Sequence, residues 1–126
     1  MTISHPQVLA FYYPWYSHNS QNSRHWEGVN SKKQTIRTSH EYPLLGAYNS
    51  LSQSVIEQHF QWAQEVGIHG FIVSWWGINS FEDKVIPKLI ISAKKYQMSL
   101  CLYYEKISEP VSEMNVTKDI TYLYHN

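Results

Sequence analysis

Apolar positions along the chain fall into short runs, and the runs alternate with stretches of a different periodicity. Val8–Tyr13 reads Val-Leu-Ala-Phe-Tyr-Tyr and is stopped by Pro14. Such a run predicts a buried strand, and proline, which cannot donate to a ladder, predicts its end. Ile68–Trp76 and Met98–Tyr104 predict a second and a third strand; Gly77 ends the second and Glu105 follows the third at once. Between them the period changes to that of a helix. Over Ser54–Val66, the residues Val55, His59, Trp62, Ala63 and Val66 share one face, and Gly67 stands where a helix-ending glycine is wanted. Ser54 with Glu57, and Ser50 with Gln53, both have the capping-box spacing. A second helix is predicted over Glu82–Tyr96, with Val85, Ile86, Leu89, Ile90 and Ala93 as its stripe and Pro87 confined to the first turn. Val116–Tyr124 predicts the start of a third.

The order is strand, loop, helix, strand, helix, strand, helix. Units of this kind predict an α/β fold with a parallel sheet and right-handed crossovers. The near-continuous apolarity of the strands predicts cover on both faces. Three such units fit the front of a (β/α)8 barrel or a small open sheet, and periodicity does not choose between them. Residues 1–126 read as one segment. Residues 14–50 form a long first βα loop whose body, 17–50, is rich in Ser, Asn, His, Gln and Lys. Loops of that length in compact domains are functional or disordered.

Composition narrows the function. Ten Lys plus Arg balance ten Asp plus Glu, which speaks against nucleic acid as a partner. No run approaches the ~18 apolar residues of a membrane span, and residues 1–7 lack a secretory pattern, so the expectation is no membrane and a cytoplasmic default. The single Cys101 excludes an internal disulfide and reads as a small buried hydrophobe. None of the seven histidines has metal-ligand spacing, there is no glycine-rich phosphate loop, and no Ser-centred nucleophile elbow. Neither metal nor cofactor is called for.

Ten Tyr, five Trp and four Phe make 15% of the chain aromatic. In parallel βα folds ligands bind at the C-terminal ends of the strands. There the first strand delivers Tyr12, Tyr13, Trp15 and Tyr16, the second Trp75 and Trp76, the third Tyr103, Tyr104 and Glu105. Aromatic faces beside a carboxylate suit a sugar, whose C–H face packs on a ring while its hydroxyls seek polar edges. The competing reading of any one ring, Trp75 and Tyr103 included, is core filling. His25-Trp26 lies in the long loop within reach of the rim. Glu109 and Glu113 read as surface charges, His59 as a packed histidine, and His69 as lying at the wrong end of its strand.

Phe11-Tyr-Tyr-Pro-Trp-Tyr16, His25-Trp26, Tyr42-Pro-Leu-Leu-Gly-Ala-Tyr48, Val55-Ile-Glu-Gln-His59 running into Trp62-Ala63, Gly67-Ile-His-Gly-Phe-Ile-Val-Ser-Trp-Trp-Gly77 and Tyr103-Tyr-Glu105, in that order, resemble the opening of glycoside hydrolase family 99. The resemblance runs from about Val8 to Glu105. It implies about the first three βα units of a (β/α)8 barrel, and an activity on α-mannosides with retention, as an endo-mannosidase or endo-mannanase. Trp76 resembles the family's sugar-stacking aromatic and Glu105 its substrate-binding glutamate; Tyr13, His25 and Trp26 occupy motif positions that approach the pocket. The substrate-binding set is thus Tyr13, Trp15, His25, Trp26, Trp75, Trp76, Tyr104 and Glu105, with an oligosaccharide or polysaccharide of the mannoside class as partner. The family's Glu-x-x-Glu pair has no counterpart up to Asn126, and glycoside hydrolysis uses two placed carboxylates. The expectation is therefore a truncated domain, inactive by itself, with no catalytic residue assigned. The alternatives are a non-catalytic carbohydrate-binding remnant, or a half-barrel that pairs with another chain through its open sheet edges.

Overall fold

The computed structural model describes residues 6–19, 23–105 and 113–125. Five strands and three helices follow in the order β1 (Leu9–Tyr12), β2 (Ser17–His18), β3 (Ser23–Arg24), α1 (Gln53–Glu65), β4 (Gly70–Trp75), α2 (Ile86–Tyr96), β5 (Ser99–Tyr104) and α3 (Glu113–His125). The main sheet is parallel, in the order β1-β4-β5. Its rows run Leu9–Gly70–Ser99, Phe11–Ile72–Cys101 and, one step beyond the β1 ladder, Ser74–Tyr103. Successive side chains in a strand alternate faces, so the intervening rows, Ala10–Phe71–Leu100 and Tyr12–Val73–Leu102, look the other way.

That second face carries the core. Phe71 and Val73 pack with Ile56, Phe60 and Ala63 of α1, Leu89 and Ala93 of α2, and Val85 and Met98 beside it. Phe60 meets Phe71 edge-on, ring centroids 4.9 Å apart at 89°, a favoured aromatic geometry. The buried stripe of α1 is Ile56–Phe60–Ala63, one residue away from the predicted stripe. Val66 is exposed, and His59 and Trp62 are half-buried on the flank. Trp and His made the predicted face look apolar; their polar ends keep them at its margin. Neither capping box forms. Ser52 is the N-cap and makes no side-chain cap bond, while the Ser50 hydroxyl accepts from the Tyr16 amide at 3.1 Å.

Both helix ends close by the same pair of backbone bonds. Ile68 N–H donates to Ala63 O at 2.9 Å and Gly67 N–H to Gln64 O at 3.1 Å, with Gly67 at φ +79°. This is the Schellman arrangement, which glycine favours because its left-handed backbone carries no Cβ penalty. Met98 to Ala93 and Gln97 to Lys94 repeat it at the end of α2, with Gln97 left-handed instead. α2 starts later than the apolar stripe suggests. Residues 78–85 are turns, because Glu82 and Asp83 are buried acceptors rather than solvated first-turn residues. Pro87 sits at the helix start, as expected.

The first face is less covered than the strand composition predicts. β1 and β5 alternate between exposed and half-buried positions. Phe11, Cys101 and Tyr103 all face outward, which corrects the reading of Cys101 as buried. Gly70 lies on this face at the foot of β4, where a Cβ would press on the Ser99 carbonyl and on Leu9. The long first connection is anchored rather than loose. Ser50 N–H donates to Tyr16 O at 2.8 Å, the Trp26 indole donates to Tyr48 O at 2.8 Å, and Trp26 and Ile36 are buried. Among the described residues no helix is long and apolar enough to cross a membrane.

Two expectations follow. Phe60→Ala removes the centre of the helix–sheet core and should cost about 3–5 kcal/mol, read as a lowered midpoint in urea unfolding. His59 bonds Tyr12 Oη through Nδ1 at 2.9 Å, and burial lowers its pKa below 6.5. The unfolded imidazole takes up a proton near that value while the folded one stays neutral, so stability is lost as pH falls below about 6.5. Unfolding at pH 7.5 and 5.5 should show this loss, and His59→Gln should flatten it; an unchanged slope would exclude His59 as its source.

Candidate functional site

The C-terminal ends of β1, β4 and β5 meet on one side of the sheet. Ser74, at the end of the outward row of β4, is fully buried, and its hydroxyl donates to Glu105 Oε1 at 2.9 Å. Glu105 N–H donates to Trp75 O at 2.9 Å, continuing the ladder one residue past β5. The carboxylate is thus held at both its backbone and its side chain, half-buried on the rim.

Beside it runs a ladder of rings. Phe11 meets Tyr103 edge-on at 5.8 Å and stacks with Tyr13 at 6.3 Å. Tyr13 stacks with Trp15 at 4.5 Å, and Trp15 with His25 at 5.0 Å. His25 reaches Trp15 because its backbone is left-handed, φ +59°, an uncommon state that histidine tolerates better than most residues. Among the described residues the buried Trp15 indole N–H has no acceptor, so ring contacts hold it, the two stacks together with Tyr16 edge-on at 6.2 Å.

Trp15, Arg24, His25, Trp76, Ser80, Phe81 and Glu82 line a cleft of about 410 Å³, within the range of small-molecule sites. Trp76 is 44% exposed. Arg24 Nη2 pairs with Glu82 Oε1 at 3.1 Å, and its guanidinium lies 4.8 Å from the Phe81 ring centroid. An arginine over an aromatic face gains from the ring quadrupole.

Of the residues singled out from the sequence, Tyr13, Trp15, His25, Trp76 and Glu105 come together on this side. Trp75 and Tyr104 do not, and Trp26 lies behind the ladder, lining a separate hollow with Trp15, Tyr16 and His25. Trp75 is on the helix face of β4, fully buried, its indole donating to Asp83 Oδ1 at 3.0 Å. Tyr104 shares that face, and its hydroxyl donates to Asp119 Oδ2 at 2.7 Å, which raises its pKa. Trp26 is buried and stacks on Tyr16 at 4.2 Å. Strand alternation explains the first two: one residue along a strand is the opposite face. His69 is at the far end of the sheet, bonded to Val8, and Glu113 is an exposed residue in the first turn of α3; Glu109 lies outside the described residues. Sequence reasoning missed Ser74, Arg24, Phe81 and Glu82. Ser74 left one signal, a lone hydroxyl in an apolar strand; the other three are brought together only by the turns after β4. No cluster of three or more metal-capable side chains occurs among the described residues.

The profile of glycosyl hydrolase family 99 matches residues 4–126. The chain belongs to that family. Among curated relatives, the glycoprotein endo-alpha-1,2-mannosidase of Mus musculus is 27% identical over 90% of this chain and 30% of its own length. The Rattus norvegicus protein of the same name is 26% identical over 92% and 30%. The family 99 endo-alpha-mannosidase of Bacteroides thetaiotaomicron, in complex with BIS-TRIS-propane, superposes with a TM-score of 0.75 at 23% identity, over 93% of this chain and 34% of that one. A second structure of that enzyme gives 0.74 at 21%, over 95% and 39%. This family 99 chain therefore spans about a third of the length of its relatives, and its fold is the front part of a (β/α)8 barrel.

Adjacent tryptophans with opposite placements give a direct check. Trp75→Ala should cost about 3–5 kcal/mol, since it opens a cavity and strips Asp83 of a donor. Trp76→Ala should cost less than about 1 kcal/mol. Thermal unfolding of the two variants measures the difference, and equal losses would refute the placement of the two rings.

Proposed function

We propose that this family 99 domain binds α-mannosides at the rim where Trp76 and Glu105 converge, and that it contributes sugar binding rather than bond cleavage. The observation that carries the reading is the pairing, on one side of a parallel sheet, of a fixed carboxylate with an exposed aromatic ladder. Trp76 offers a flat apolar face for the C–H side of a pyranose, with Tyr13 and His25 as further polar-edged rings, and Glu105 accepts from sugar hydroxyls. The names of the mouse and rat relatives point to the α-1,2 linkage. Glycoside hydrolysis as a rule uses two placed carboxyl groups. Glu82 lines the cleft but is tied to Arg24, which leaves Glu105 without a second free acid beside it among the described residues. The chemistry then belongs to barrel units other than these three.

Titration calorimetry with α-1,2-mannobiose and α-1,2-mannotriose tests this. The chain should bind both, with no release of reducing sugar on prolonged incubation. Glu105→Gln should weaken binding by about tenfold, the worth of a hydrogen bond to a charged acceptor, and Trp76→Ala by a similar factor without unfolding. Saccharide release abolished by Glu105→Gln would overturn the division between binding and cleavage; absence of binding would overturn the sugar reading itself.

A further inference from the structure

The cleft beside Trp76 has a wall that does not belong to the main sheet. Trp15 and His25 come from the long first connection, Ser80, Phe81 and Glu82 from the turns after β4. We propose that the Arg24–Glu82 ion pair is a positioning clasp: it fixes His25 against Trp15 and thereby sets the wall that faces a sugar seated on Trp76. For its ligand the inference rests on the mannoside reading above; for its geometry it does not.

Burial makes the pair directional. The Glu82 side chain is 4% exposed and that of Arg24 46%. A buried carboxylate without a partner is strongly disfavoured, so the fixed end is Glu82 and the held end is Arg24. Arg24 closes β3 and is the residue immediately before His25. Three contacts pin its guanidinium: Glu82 Oε1 at 3.1 Å, the Trp15 carbonyl from Nε at 3.4 Å, and the Phe81 ring at 4.8 Å. A planar fork suits this combination in a way an ammonium does not. His25 then turns left-handed and lays its ring on Trp15 at 5.0 Å. Independently, the Trp15 indole N–H is unpaired among the described residues. No hydrogen bond sets the angle of that ring, so its ring neighbours do: Tyr13 and His25 on its faces and Tyr16 edge-on. The line of control runs from Glu82 through Arg24 and His25 to Trp15.

Two measurements on the full chain test the clasp. In the first, the His25 ring signals are followed by NMR. Stacked on an indole they should sit upfield by ring current; Arg24→Gln should return them toward unstructured values, and Arg24→Lys should do so only in part. In the second, mannotriose affinity is measured in double-mutant cycles. Arg24→Gln should weaken binding by about tenfold, by less than about twofold once His25→Ala is present, and by the full factor in a Glu105→Gln background. A pair that merely joins two loops predicts factors that multiply in both backgrounds. Should Arg24→Gln leave too little folded protein, Arg24→Gln/Glu82→Gln removes both charges and carries the same expectations. Unmoved His25 signals, or multiplicative factors with His25→Ala, would overturn the clasp. Responsive His25 signals in a chain that does not bind mannotriose would uphold the clasp and remove the carbohydrate reading instead.

Discussion

Parallel pairing of β4 with both of its neighbours is the constraint from which the rest follows. The register aligns Phe11, Ile72 and Cys101 in one row and Tyr12, Val73 and Leu102 in the next. Once that alignment is set, alternate residues have no choice of face. One face receives α1 and α2 and becomes the core; the other ends in Ser74 and the rim. Even the carboxylate depends on it, because β4 and β5 end level at Trp75–Tyr104, which puts Glu105 just past the last pair, on the face of Ser74 and within reach of its hydroxyl.

The aromatic residues form two runs that touch at Tyr16, whose ring meets Trp15 and His25 edge-on. Phe11, Tyr13, Trp15 and His25 lie along the open side. Tyr16, Trp26, Tyr48, His59, Tyr12, Phe71 and Phe60 run from the loop down into the core. Buried Pro14 stands where the two diverge. Burial holds three inner groups neutral: it pushes the Tyr48 phenol up to about 12, raises the Tyr12 phenol and lowers the His59 imidazole. Charge near physiological pH is therefore kept off Tyr12, Tyr48 and His59.

Much of this was legible in the chain. Apolar runs and period changes located every main strand and helix to within a few residues, and the rule that parallel sheets bind ligands at strand C-termini pointed to the end where the exposed rings and Glu105 gather. The single-residue errors are the instructive ones. Trp75 and Trp76, or Tyr103 and Tyr104, are equally aromatic, so composition cannot say which of a pair faces the helices; only the register does, and register is a property of two strands. The α1 stripe was displaced by one position for a related reason, since His59 and Trp62 count as apolar in a pattern yet lie half-buried at its margin, where His59 Nδ1 meets the Tyr12 hydroxyl. Arg24 and Glu82, 58 positions apart, carry no sequence signal at all, because their meeting depends on how two loops fold.

The long first connection shows how those loops are placed. A segment of this length could have been a mobile appendage, but its two ends exchange hydrogen bonds at Tyr16 and Ser50, and Trp26 inserts into the inner aromatic set. Closing a long loop costs entropy that grows only slowly with its length, so a few buried anchors suffice to hold it. What lies between the anchors then needs a separate restraint wherever its geometry matters. The strand pair Ser17–His18 with Ser23–Arg24 supplies stiffness, and the bond from Arg24 to a buried acid supplies the fixed point against which the exposed rings are set. Sheet register determines where Trp76 and Glu105 stand; loop closure, acting through that ion pair, determines what stands opposite them.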